Sequence, residues 1–156
     1  LEAQQNRFRW VEYSLSASLM IVLIAMITGI SDAAALIAIG GVNAAMILFG
    51  WLMETTSEPG AEANWTPFWF GCFAGSVPWI AIAVYLLGPG SAVPGFVYAI
   101  FVSIFLLFNC FALNQWLQYR KIGPWRDYLF GERTYIVLSL VAKSALAWQL
   151  FVNTLV

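Results

Sequence analysis

The sequence has no histidine, and charge is scarce: Lys, Arg, Asp and Glu together make up 10% of its 156 residues. Without histidine, no imidazole within this chain can relay protons. A net charge of −1 offers no basic surface, which excludes nucleic acid as a partner. Only two cysteines occur, Cys72 and Cys110. Both fall inside apolar runs with no metal-ligand neighbour and read as small buried hydrophobes, so no metal site is expected. No repeat or low-complexity tract is visible. Leu1 is not a methionine, and no signal-peptide pattern precedes the first apolar run. The chain is therefore expected to begin partway through a larger protein.

What remains is apolar. Hydrophobic residues make up 62% of the chain and the mean hydropathy is +0.80, values of an integral membrane protein in a lipid bilayer. Five spans are expected. The first runs from about Phe8 to Ile30, after the charged patch around Arg7 and Arg9, and Leu1 to Gln5 has the propensity to start it earlier. Asp32 suits the N-cap of a second span, Ala33 to Met53. A polar loop from Glu54 to Asn64 holds the turn pair Pro59-Gly60. Trp65 to Leu87 forms a third span that Pro78 should kink. The loop Gly88-Pro89-Gly90-Ser91 precedes a fourth span, which Pro94 opens and which ends near Tyr119. Arg120 to Arg133 reads as a charged interfacial connection, and Tyr135 to Val156 as the fifth span.

Orientation follows from the basic residues. Consecutive spans alternate direction, so Arg7, Arg9, Arg120, Lys121, Arg126 and Arg133 share one side, and Lys143 is the sole basic residue elsewhere. That side, with the N-terminal end of the chain and the 120–133 loop, is expected to be cytoplasmic.

Lys143 is the anomaly. It stands eleven residues past Glu132 in a run long enough to cross the hydrocarbon core, so it lies roughly 16 Å into the membrane. A lysine stem reaches about one helical turn, and a charge at that depth costs at least ~2.5 kcal/mol. Such a lysine is neutral, paired with an anion or covalently modified. Glu12 is the single acid within an apolar segment and the candidate partner. Ser16 follows Glu12 by one turn, and Ser139 precedes Lys143 by one turn. One reading is a structural ion pair between two helices. Another makes Lys143 the Schiff-base former for an aldehyde chromophore, Glu12 its counter-ion, and Phe105, Phe108, Phe111, Trp79 and Trp148 an aromatic tube around a polyene.

The motif Arg9-Trp10-Val11-Glu12-Tyr13-Ser14 with Ser16 and Ser18, and the motif Ser139-Leu140-Val141-Ala142-Lys143-Ser144 with Trp148, resemble the third and seventh helices of heliorhodopsins. Asn114-Gln115-Trp116 resembles the end of that family's sixth helix. The resemblance covers the whole chain and implies an all-α membrane protein, residues 1–156 being the last five helices of a seven-helix retinal-binding bundle. It implies all-trans retinal on Lys143, Glu12 as counter-ion, and Ser139 beside the Schiff base. Phe108 would take the place of a pocket tryptophan found in other microbial rhodopsins. Met46 and Ile47 would flank the chromophore, with Tyr13, Ser16 and Trp148 around it and Asn43 and Gln115 as polar lining. The family's cytoplasmic N-terminus agrees with the charge count.

The expected function is a retinal photoreceptor that signals and does not pump, forms a homodimer, and is not an enzyme. Its signalling partner is not named by the sequence. Pumping needs a proton donor or acceptor besides the counter-ion, and the five spans offer no second acid, with Asp32 and Glu54 read as caps or interface residues. The alternative is an ion-coupled transporter using the Glu12–Lys143 pair, in which Pro78, Gly71 and Gly75 support a broken helix.

Overall fold

The computed structural model describes residues 5–57, 62–88 and 93–155, with side chains through Asn153. The described residues are helical throughout, with no strand: α1 (Arg7–Ile27), α2 (Ala33–Thr56), α3 (Thr66–Leu87), α4 (Gly95–Arg120), a 3-10 turn (Gly123–Arg126) and α5 (Tyr128–Leu155). All five α-helices are long and apolar enough to cross a membrane. The first four residues, the Pro59-Gly60 turn and the Pro89-Gly90-Ser91 part of the next loop lie outside the described residues.

Residues 1–93 form one compact unit and residues 94–156 another. In the first, α2 packs against both α1 and α3. Ile21, Ile24, Ala25, Met53, Ile82 and Leu86 are essentially fully buried. Outward faces carry Leu15, Leu19, Phe73 and Ile80, which are the side chains lipid solvates in a membrane span. In the second unit, α4 and α5 pair, and Val97, Ile100, Ile104, Tyr135, Ala142 and Leu146 are its most buried apolar residues.

Helix ends explain the differences from the sequence reading. Asn6 caps α1 by accepting a hydrogen bond from the Arg9 N–H at 3.2 Å, so upstream growth stops at Arg7. The C-terminus closes earlier than Ile30. Gly29, at φ +103°, lets its own N–H reach the Met26 carbonyl while Ile30 N–H reaches that of Ala25, both at 3.1 Å. This is the six-residue closure that favours glycine after a helix end. Asp32 caps α2 as expected, accepting from Ala35 N–H at 2.8 Å. That helix then continues past Met53 to Thr56. Pro94 occupies the N-cap of α4, and α3 runs through a buried Pro78.

The largest correction is α5, which starts at Tyr128 and not at Tyr135. Asp127 accepts from Leu129 N–H at 3.0 Å and makes the cap. The connection is thus only Lys121 to Asp127, and Glu132 and Arg133 belong to the helix. Charged residues end a hydropathy pattern without ending a helix, because the backbone ladder needs no apolar side chains.

Candidate functional site

In the first unit the polar residues gather in two places along α1. The deeper group lies between α1 and α2. Asn43, 1% exposed, donates from its side-chain nitrogen to Ser18 Oγ at 3.2 Å. The Asn43 Oδ1 and the Ser16 hydroxyl are enclosed, with no hydrogen-bond partner among the described residues. Buried polar atoms are rarely left so without a ligand or water to meet them. Ile47 is buried and Met46 half-buried, its thioether against Gly75 of α3, where a Cβ would collide with it. Tyr13 is half-buried and Glu12 lies on an exposed face of α1. Trp79 of α3 is buried.

The second group adds to the sequence reading. Glu54 stands in the last turn of α2, at the span end as expected, but its side chain is buried, at 4% exposure. Arg9 Nη2 donates to its Oε1 at 3.0 Å, while Trp10 Nε1, at 2.5 Å, and the Asn6 backbone N–H, at 3.3 Å, donate to Oε2. The Arg9 guanidinium also lies 4.5 Å from the centre of the Trp10 ring. Removing either partner of such a buried pair strands a charge, at roughly 3–5 kcal/mol. Trp10 fits there because Gly50, one turn before Glu54, has no side chain; a Cβ would strike the indole. Glu132, in α5, is also buried, at 6% exposure. Glu54 and Glu132 therefore join Glu12 as acids within the helices, contrary to the expectation of no second acid in the five spans, although both stand beyond the apolar runs.

In the second unit Lys143 is half-buried near the middle of α5. Ser139, one turn before it, is half-buried, and Ala142 and Leu146 beside it are buried. Phe108 is half-buried on α4, Phe105 is more exposed, and Phe111 lies 6.2 Å from Tyr135 between ring centres. Trp148 is 65% exposed and stacks edge-on with Phe151. Gln115 is buried. Two links between α4 and α5 were not anticipated. Ser103 donates to Gln149 Oε1 at 3.1 Å, and Asn114 bridges Trp125 and the Gly131 carbonyl. Polar residues within apolar spans were the available signal for both.

The match to the heliorhodopsin family extends over residues 1–155. The chain belongs to that family. As a heliorhodopsin it is a retinal-binding, rhodopsin-like integral membrane protein with a membrane-spanning helical fold. No curated protein matches it. The second unit by itself suits retinal in one respect: α5 carries an amine at mid-span, the group that forms an imine with an aldehyde.

Proposed function

We propose that this heliorhodopsin is a light sensor that signals and does not pump, with all-trans retinal attached to Lys143 through a protonated Schiff base. The position of Lys143 carries the reading. It stands fifteen residues from the start of α5 and twelve from its end, about 22 Å and 18 Å along the axis. No lysine stem spans either distance, so the amine does its work inside the membrane. Retinal, when bound, supplies light absorption and photoisomerisation.

The chain's own residues do the rest. Lys143 holds the chromophore and Glu12 holds the negative charge that balances it. Ser139, Ser16 and Tyr13 contribute hydroxyls. Phe108, Met46, Ile47 and Trp148 enclose it, and Asn43 and Gln115 provide polar lining. In this reading residues 1–156 are the last five of seven helices, the preceding two complete the pocket, and the protein works as a homodimer.

Basic residues place the start of α1 and the α4–α5 connection in the cytoplasm. Consecutive crossings then put Glu12, Glu54 and Glu132 all in the cytoplasmic half. Among the described residues, the outer halves of the five helices contain no carboxylate or arginine inside the span, and Lys143 is their one lysine; Asp32 is an exposed cap. Glu54 already accepts from three donors. A pump needs proton sites on both sides of its chromophore, and these spans supply them on one side. Addition of all-trans retinal to the retinal-free protein tests the reading: a visible band that Lys143→Ala removes supports it, and no visible band refutes it.

A further inference from the structure

We infer that Glu54 is a positioning residue for Glu12, an inference that rests on the counter-ion reading above. Glu12 lies three residues beyond Arg9 and two beyond Trp10. The two donors on the Glu54 carboxylate come from adjacent residues, about 100° apart around the helix. They hold different oxygens, Arg9 at Oε1 and Trp10 at Oε2. A two-point grip from neighbouring positions fixes the rotation of α1 about its own axis. The third donor, the Asn6 backbone N–H, fixes its height, and the same Asn6 caps the helix through Arg9 N–H. Gly50 completes the seat by letting the Trp10 indole lie against α2. Glu12 is exposed and begins the helix's second turn, so its placement is inherited from this first turn.

The substitution Glu54→Gln keeps the shape and spoils the grip. One acceptor oxygen becomes an NH2 group, which then faces the Arg9 or the Trp10 donor. The mechanism predicts a looser first turn and a displaced Glu12. Charge-assisted bonds of this kind are strong enough that their loss raises local opening about tenfold or more.

The experiment uses the full-length protein with two measurements: amide hydrogen exchange over residues 6–14 without retinal, and the visible spectrum with all-trans retinal. Variants are E54Q, E12Q, the double variant and G50A. The expected result is faster exchange in E54Q and G50A by about tenfold. Both should also shift the band in the direction of E12Q but by less, and E54Q should add no shift in the E12Q background. Exchange and spectrum unchanged in E54Q, with E12Q shifted, overturn the positioning role and leave the counter-ion reading standing. An equal E54Q shift in both backgrounds overturns it too, because Glu54 would then act without Glu12. If E12Q leaves the spectrum unmoved, the counter-ion reading falls and this inference falls with it. Should E54Q fail to fold, G50A carries the same test with the carboxylate intact.

Discussion

Trp125 donates its indole N–H to Asn114 Oδ1 at 2.6 Å, across the turn that joins α4 to α5. Asn114 passes the link on, donating to the Gly131 carbonyl at 3.2 Å. One buried amide thereby ties the connection to both helices. Lys121, in the left-handed region at φ 52°, turns the chain so that Trp125 can return to Asn114. Trp125→Phe keeps the ring but leaves the Asn114 oxygen without its donor. It should destabilise the protein by about 1–3 kcal/mol, read as a lower thermal midpoint. Stability equal to that of the parent would show that the bond contributes nothing.

Lys143→Ala should abolish the visible band while insertion into the membrane survives, because removing a mid-membrane amine eases insertion. Borohydride reduction followed by mass measurement checks the link. A retinal adduct retained in the variant would sink the assignment of Lys143.

Glu12→Gln should move the absorption maximum to the red. Losing the anion also favours the neutral form of the retinal–lysine link over the protonated one. The visible band should therefore disappear at lower pH than in the parent as pH is raised. A titration curve that overlays the parent's would assign the counter-ion to another acid.

Illumination of cells carrying the complete protein should give no sustained pH change in unbuffered medium. The motivating observation is one-sided: the buried acids Glu54 and Glu132 fall in the same half as Glu12 in the proposed topology. A steady drift that a protonophore abolishes would establish net transport and remove the sensor reading.

Much of this architecture was legible beforehand because it rests on local rules. Five apolar runs became five helices, and Asp32 capped α2 because a short carboxylate before an apolar run satisfies an orphan N–H. Pro94 marked the start of α4 for similar reasons. The start of α5 was misplaced by seven residues because hydropathy measures solvent preference, whereas the helix ladder tolerates Glu132 and Arg133. The burial of Glu54 was missed for a different reason. It depends on Arg9 and Trp10, more than forty residues away, and no pattern within its own helix announces them. The Ser18–Asn43 and Asn114–Trp125 bonds are likewise settled by how neighbouring helices are turned, which residue spacing alone does not give.

Gly75 supplies α3 with an absence, and Met46 of α2 rests its sulfur in the space that a side chain would fill. Sulfur is the most polarisable atom a side chain offers, and excitation of a conjugated chromophore responds to polarisable matter beside it. If Met46 flanks retinal as proposed, the colour of this protein is set partly by how far that sulfur withdraws toward α3. A single methyl group at position 75 would push it back. A glycine with no proposed contact to the chromophore would then tune its hue through an empty space.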